Sequence, residues 1–118
     1  MTSAAPVWEA LARGAWHEAL ALVDGAVDDP EALEAAGVAH WWLDDADATI
    51  ATRERAYRLY RERGDRRGAA RVAGALAWDS VLFGGRLAVA QGWVERAARL
   101  LRDEPTSPEH AWAAVREA

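Results

Sequence analysis

Small residues recur along this chain seven positions apart, which is close to two turns of an α-helix. The first such pair is Ala19 and Ala26. Alanine at positions where a core helix usually carries leucine lets a second helix approach closely. The spacing therefore predicts helices that pack tightly against one another.

Residues that favour helices dominate the sequence, chiefly Ala, Leu, Arg and Glu, whereas Val and Ile are sparse and never alternate over the length of a strand. The fold class is therefore predicted to be all-α. Six groups of Gly, Pro and Asp residues interrupt the helix-forming stretches and divide the chain into seven segments. The predicted helices cover 3–13, 16–27, 30–43, 47–63, 66–83, 87–102 and 107–118.

Two of the helix starts carry a local signal. Asp29 precedes Pro30, and Ser107 precedes Pro108. Each pair offers a side-chain oxygen that can accept from the first backbone N–H groups, followed by proline at the first helical position. Helices are therefore predicted to begin at these two prolines.

Short connections between long helices favour antiparallel hairpins, which pair the first helix with the second, the third with the fourth and the fifth with the sixth. Gly64 and Gly84 are predicted to be left-handed residues at helix ends. Alignment of the hairpins on their turns matches Gly14 with Asp44 and Gly85, Ala19 with Thr49 and Ala90, and Ala26 with Ala56 and Ala97. Turn residues and small residues therefore recur at equivalent positions of the three hairpins, with Thr49 as the one mismatch.

The stretch GAWHEALALVDGAVDDP, residues 14–30, resembles a tetratricopeptide repeat, a helix pair with small and aromatic residues at set positions. The matching residues are Gly14, Trp16, Ala19, Ala26 and Pro30 in the first unit, Gly37 and Ala56 in the second, and Gly85, Ala90 and Ala97 in the third. The first unit is 30 residues from the second, and the second is 41 residues from the third. Tetratricopeptide repeats instead recur about every 34 residues. From about Arg63 onward, the chain is similar to the tetratricopeptide-like arm of actinobacterial LuxR-type transcriptional regulators and related signalling ATPases.

The resemblance implies a right-handed stack of three antiparallel helix hairpins with a C-terminal capping helix, about seven helices in one domain. The repeats would cover about 3–29, 30–63 and 66–103, and the cap 107–118. In such regulators the arm couples a sensing or partner-binding event to a DNA-binding module, whose motifs this sequence lacks. The function implied is a non-catalytic scaffold that binds a protein or peptide in a regulatory setting.

The length and composition of the chain limit the number of domains and exclude several kinds of site. A chain of 118 residues is predicted to form one domain with one modest core. It contains no cysteine, which excludes a disulfide framework, a thiolate metal site and a cysteine nucleophile.

Glu9 and Arg13 interrupt the apolar run of a signal peptide, and no stretch is long enough to cross a membrane, so a cytoplasmic protein without a membrane partner is predicted. A net charge of −5 argues against general affinity for nucleic acid.

Arginines concentrate in the middle of the chain. Eight of the 14 fall between Arg53 and Arg71, opposed only by Glu54, Glu62 and Asp65. On a helical wheel they scatter and alternate with glutamates, which is typical of a solvated helix surface. The segment is therefore interpreted as a docking patch for an acidic protein, or for the acidic N-terminal part of another copy, and not as a nucleic-acid site.

Seven tryptophans are many for a chain of this length, and four of them fall on the first helices of the predicted hairpins. The resemblance implies that these helices line a concave binding surface. The predicted groove residues are Trp8, Val38, Trp41, Trp42, Asp79, Leu82 and Phe83. Trp41 and Trp42 lie about 100° apart around a helix, so one of them is predicted to be accessible. Trp78 and Trp93 are instead expected to fill the core.

Asp79 falls on the fifth predicted helix, which apolar residues ring and which is therefore predicted to be central. If Asp79 is buried it needs an arginine or another hydrogen-bond donor, which favours an ion pair over a ligand-binding carboxylate. His17, His40 and His110 lack metal-ligand spacing, so no metal or cofactor is predicted. The acidic run DDAD at 44–47 is interpreted as a cap and dipole partner for the fourth helix.

Two functions stay open. The first is the protein- or peptide-binding scaffold, and the alternative is a sensor domain for a hydrophobic or aromatic metabolite, since clefts between helices suit such ligands. An enzyme that uses His40 with Asp44 or Asp79 is not favoured, because nothing fixes their mutual geometry. The short first helix covers the N-terminal end of the array thinly, which predicts a weak to moderate tendency to form a homodimer.

Overall fold

A computed structural model describes residues 5–24 and 28–102 of the chain. All regular structure within these ranges is α-helical, which confirms the predicted fold class. The helices are α1 (Ala5–Ala12), α2 (Trp16–Val23), α3 (Pro30–Trp42), α4 (Ala46–Glu62), α5 (Arg66–Gly84) and α6 (Leu87–Leu101). The predicted helix 107–118 and Ala26 lie outside the described residues. None of the helices in the described ranges is long and apolar enough to cross a bilayer.

The start of α3 follows its local signal. The carboxylate of Asp29 accepts hydrogen bonds from the backbone N–H groups of Glu31 (3.0 Å) and Ala32 (3.4 Å), and Pro30 is the first helical residue. This confirms the prediction, because the cap satisfies N–H groups that have no partner within the helix. Asp65 caps α5 in the same way.

Helix α2 is shorter than predicted. It ends at Val23 and not at residue 27, because the backbone of Asp24 leaves the helical region with a ψ of 125°. Asp24 and Gly25 are both weak helix formers, and their preference outweighs the apolar periodicity that suggested a longer helix.

Four helices end at a residue in the left-handed conformation. These residues are Gly14 (φ 74°), Asp44 (φ 60°), Gly64 (φ 73°) and Gly85 (φ 61°). After α1, the Gly14 N–H donates to the Leu11 carbonyl oxygen at 3.0 Å and the Ala15 N–H donates to that of Ala10 at 2.9 Å, the two bonds of a Schellman motif. The same pair of bonds occurs at Asp44 and Gly64. The aligned turn residues Gly14, Asp44 and Gly85 therefore share the left-handed conformation, and Gly64 confirms the prediction of a left-handed residue at that helix end.

The prediction that Gly84 is the left-handed residue after α5 is wrong. Gly84 continues the helix, and the N–H of Gly85 donates to the Val81 carbonyl oxygen at 3.0 Å. Either member of a glycine pair can adopt a positive φ without steric cost, so the local sequence does not choose between them.

The fold divides into two compact units, residues 1–59 and 60–118. In the first unit, α3 packs against both α1 and α2. The core of this unit consists of Val7, Ala10, Leu11, Ala19, Val23, Ala32, Ala35, Ala36 and Ala39. Six of these nine residues are alanine, so small side chains form the contacts between the three helices.

Within the first unit, α3 meets α4 at Gly37. A Cβ atom there would lie 2.8 Å from Cγ of Arg53, so the absence of a side chain at Gly37 makes room for the arginine stem. Arg55 on α4 forms an ion pair with Asp28 at 3.1 Å. Two arginines of the basic segment are thus engaged within this unit.

In the second unit, α5 packs along α6. The buried residues of α5 are Gly68, Ala69, Ala70, Val72, Ala73, Gly74, Leu76, Ala77, Asp79 and Ser80, which confirms the prediction of a heavily buried helix. Arg66 ties the start of α5 to the end of α6, because its Nε donates to the carbonyl oxygen of Leu100 at 2.8 Å and its Nη2 to that of Arg99 at 3.1 Å.

The small residues of the predicted register are buried. They are Ala19, Thr49, Ala56, Ala90 and Ala97. At the mismatched position, the hydroxyl of Thr49 donates to the Asp45 carbonyl oxygen at 2.7 Å, which satisfies the one polar group among them. This burial confirms that these positions face neighbouring parts of the protein and not solvent.

Candidate binding surfaces

The predicted groove residues are divided between the two units. Trp8, Val38, Trp41 and Trp42 belong to the first unit, and Asp79, Leu82 and Phe83 to the second. Trp8, Trp42 and Leu82 are exposed, Val38, Trp41 and Phe83 are half-buried, and Asp79 is fully buried. Candidate surfaces are therefore described within each unit separately.

Three tryptophans of the first unit form a cluster that we call the tryptophan platform: Trp16, Trp41 and Trp42. Trp16 begins α2, and the other two end α3. The rings of Trp16 and Trp42 are parallel to within 2°, with centroids 5.2 Å apart. Trp41 meets Trp42 edge-on, at a centroid distance of 5.0 Å and an angle of 83°. Both arrangements are favourable for aromatic pairs, so the rings hold one another in place.

Trp42 presents the platform to solvent. It is 57% exposed, whereas Trp16 and Trp41 are half-buried. This confirms the prediction that one member of the Trp41–Trp42 pair is accessible. Trp16 was not among the predicted groove residues, because those were sought on the first helices of the hairpins and Trp16 lies on a second helix. The short connection between α2 and α3 was the available signal, since it brings the end of α3 back beside the start of α2.

Acidic residues follow the platform along the chain. Asp44, Asp45 and Asp47 come shortly after Trp42, and all three are exposed. Asp45 accepts from the Ala48 N–H at 3.2 Å, which agrees with the capping role predicted for this run. Residues 1–59 contain eleven acidic residues and four arginines. The first unit is therefore negatively charged, which favours encounter with cationic partners.

A second surface, the α5–α6 groove, lies within the second unit and has a volume of about 390 Å³. It is lined by Ala77, Trp78, Val81, Leu87, Ala90, Gln91 and Val94. Trp78 is 49% exposed and Leu87 is 65% exposed. The expectation that Trp78 fills the core is wrong, because α6 leaves this side of α5 uncovered. Trp93 is half-buried, with the guanidinium of Arg96 4.5 Å from its ring centroid.

Asp79 is completely buried on α5 and interacts with other groups of the chain. A ligand on the protein surface cannot reach its carboxylate, and an ion pair stays a prediction for it. His17 is exposed and His40 is half-buried, while His110 lies outside the described residues. Over residues 5–24 and 28–102, no three potential metal ligands lie together.

The arginine-rich segment is largely solvated. Its exposed members are Arg55, Arg58, Arg61, Arg63, Arg66, Arg67 and Arg71. Arg53 is the exception, because its stem packs against Gly37. The segment is thus a cationic surface with several internal ion-pair and hydrogen-bond partners.

Comparison of the chain with models of protein families, with curated proteins and with solved structures gives no significant match. The geometry and charge of the two surfaces are therefore the basis for inferring what the protein does.

Proposed function

We propose that the chain is a non-catalytic scaffold of tetratricopeptide-like helix hairpins that binds a protein or peptide segment through the tryptophan platform. Support for the repeat arrangement comes from the shared left-handed conformation of Gly14, Asp44 and Gly85 and from the burial of the small residues aligned with them. The resemblance to the arm of LuxR-type regulators would place this binding in a regulatory protein.

The exposure of Trp42 is the observation that carries the proposal. An indole that is 57% exposed leaves a large apolar face in water, and burial of such a face under a partner is favourable. Trp16 stacks behind it at 5.2 Å, so the ring is already ordered before a partner arrives. Pre-ordering lowers the entropic cost of binding, and tryptophan is among the residues that most often dominate binding energy.

The charge around the platform indicates the chemistry of the partner. Asp44, Asp45 and Asp47 are exposed and follow Trp42 closely along the chain, and residues 1–59 contain eleven acidic residues and four arginines. A lysine or arginine of the partner could lie over the indole ring while these carboxylates offset its charge. We therefore expect a basic segment that also carries apolar side chains.

An open surface fits this partner better than it fits a metabolite. A small-molecule sensor needs a cavity that buries most of its ligand. Trp42 instead presents one face of its ring outward, which a peptide or protein surface can cover. The metabolite alternative therefore receives no support from the platform.

Selection of short random peptides displayed on phage against the full-length chain tests the proposal. Recovered peptides should be rich in Lys and Arg next to apolar residues. In fluorescence anisotropy, Trp42→Ala should weaken binding of a synthetic copy about 30-fold or more, which corresponds to about 2 kcal/mol. Trp78→Ala is the matched control, because it removes a similarly exposed indole from the other unit, and it should leave the affinity within about twofold of the wild type.

Three outcomes count against this function. The selection yields no binding peptide, the recovered peptides are acidic, or Trp42→Ala binds them as tightly as the wild type does. Circular dichroism of each variant verifies that the helices are retained.

A further inference from the structure

Exposed apolar side chains of the second unit gather around the α5–α6 groove. Trp78 and Leu87 line the groove and are 49% and 65% exposed. Leu82, one turn after Trp78 on α5, is 58% exposed. Large apolar side chains that are exposed together, and not singly, mark a surface that meets another molecule. We call Trp78, Leu82, Leu87 and the groove itself the groove face.

The groove face is poor in charge. From Ser80 to Val94 the sequence contains one charged residue, Arg86, although charged residues make up 28% of the chain. Asp79 lies beside this run, but it is fully buried and places no charge at the surface. In the described part of the chain, the groove is lined by apolar residues and Gln91. A partner for this face must therefore be nearly uncharged as well, because an unpaired charge is costly to bury.

A second copy of the chain supplies a surface of that kind. Most oligomers of identical chains are two-fold dimers in which the same patch of both copies meets. Charged patches suit such a contact poorly, because like charges would face one another. The exposed Asp44, Asp45 and Asp47 beyond the tryptophan platform would repel their own copies, and so would the arginine-rich segment. The groove face is free of this repulsion.

The shape of the groove face also suits contact with itself. The groove has a volume of about 390 Å³, whereas an apolar cavity of about 150 Å³ already holds a benzene molecule. A bulky apolar side chain therefore fits in the groove, and Trp78 and Leu87 are exposed on the same face. The face thus carries both a depression and side chains that can fill the depression of a second copy. Close packing of this kind is found at the centre of specific interfaces.

We propose that two copies of the chain associate through their groove faces in a two-fold symmetric dimer. The contact places Trp78 and Leu87 of each copy against the groove of the other and removes their apolar surface from water. The sequence alone suggested the N-terminal end as the place of self-association, whereas this contact belongs to the second unit. It is therefore independent of peptide binding at the tryptophan platform.

The size of the groove face sets the strength of the dimer. Residues 77–84 of α5 and 87–94 of α6 each span about 12 Å, and two packed helices are about 20 Å wide. Such a face covers a few hundred Å² on each copy, which is less than the ~800 Å² per partner of a typical stable complex. We therefore expect a weak dimer with a Kd of about 10–300 µM.

Sedimentation equilibrium of the full-length chain, at concentrations from about 10 µM to about 1 mM, tests the proposal. We expect monomers and dimers in reversible equilibrium and no larger species, because a two-fold contact closes at two copies. Leu87→Arg places like charges in the contact and should raise the Kd at least about tenfold. Circular dichroism of the variant verifies that the helices are retained.

Val89→Arg is the matched control. Val89 lies in the same turn of α6 as Leu87 and is 46% exposed, but it is about 200° away around the helix and does not line the groove. The Kd of this variant should stay within about twofold of the wild type. Equal dimerisation of Leu87→Arg and Val89→Arg, or a chain that is monomeric at about 1 mM, would overturn the proposal.

Salt and a substitution in the first unit distinguish this contact from other ways of associating. A rise in NaCl from about 0.1 M to about 0.5 M should not weaken an apolar contact, whereas it would weaken an ionic one between the acidic first unit and the arginine-rich segment. Trp42→Ala should leave the Kd of the dimer within about twofold of the wild type. Dissociation by salt, growth beyond the dimer, or loss of the dimer in Trp42→Ala would each overturn the proposal. None of these results bears on peptide binding, which is measured at concentrations far below this Kd.

Discussion

Gly68, in the first turn of α5, lies directly against the ring of Tyr60. A Cβ atom at this position would lie 2.5 Å from Cδ1 of the ring and within 2.9 Å of two further ring carbons. Ordinary contacts begin near 3.4 Å, so the ring would have to move by close to 1 Å. Tyr60 is 2% exposed and is held by a hydrogen bond from Arg71 at 3.3 Å, so it has little room to move.

Two opposing effects decide the outcome of Gly68→Ala. In a helix, replacement of glycine by alanine stabilises the folded state by up to about 1 kcal/mol. Insertion of a methyl group into a filled space costs about 1–3 kcal/mol. We therefore expect a net loss of up to about 2 kcal/mol for Gly68→Ala. In Gly92→Ala on α6, the nearest atom to the new methyl is Nη1 of Arg96 at 3.6 Å, so the helical preference should act alone and stabilise the protein.

Thermal unfolding followed by circular dichroism separates the two variants. For a chain of this size, each kcal/mol shifts the Tm by about 4 °C, so Gly68→Ala should melt about 4–12 °C below Gly92→Ala. In a Tyr60→Leu background, the cost of Gly68→Ala should fall by about 1 kcal/mol or more, because the smaller side chain frees the space. If Gly68→Ala proves as stable as Gly92→Ala, the ring of Tyr60 does not pack against Gly68 and the reasoning is wrong.

Two further substitutions test the turns and the helix ends. Asp44 has a φ of 60°, a conformation that is unfavourable for any residue with a side chain. In urea titrations, Asp44→Gly should therefore raise the free energy of unfolding by about 0.5–1 kcal/mol. A decrease would contradict this account of the turn. Arg66→Ala removes two hydrogen bonds to the last carbonyl groups of α6 and should lower the free energy of unfolding by about 1 kcal/mol. Arg66→Lys should have a stability between those of the wild type and Arg66→Ala, because lysine keeps the charge but not the planar guanidinium group. An unchanged urea midpoint for Arg66→Ala would show that water replaces these bonds without loss.

Features that depend on neighbouring residues along the chain could be predicted from the sequence. The cap of Asp29 before Pro30 acts within a single turn, and Gly14 and Gly64 take the left-handed conformation with almost no cost. The failures were local ambiguities, namely the choice between Gly84 and Gly85 and the early end of α2 at Val23. In each case two preferences of similar size competed, and the sequence pattern could not weigh them.

Features that depend on which helix covers which face could be predicted only in part. The wheel geometry of Trp41 and Trp42 showed that one ring must be accessible, but the stacking of Trp16 on Trp42 required α3 to return beside α2. The same holds for Trp78, whose exposure follows from what α6 leaves uncovered and not from its own apolar character.

The sequence by itself determined that this protein is helical, where most of its helices begin, and which small residues lie between them, because capping, backbone preference and side-chain size act over a few residues. Only the tertiary structure decided which tryptophans meet solvent and which glycine accommodates a ring. Exposure and close contact are properties of two segments at once, and the free energy of burying a side chain depends on the partner surface that covers it.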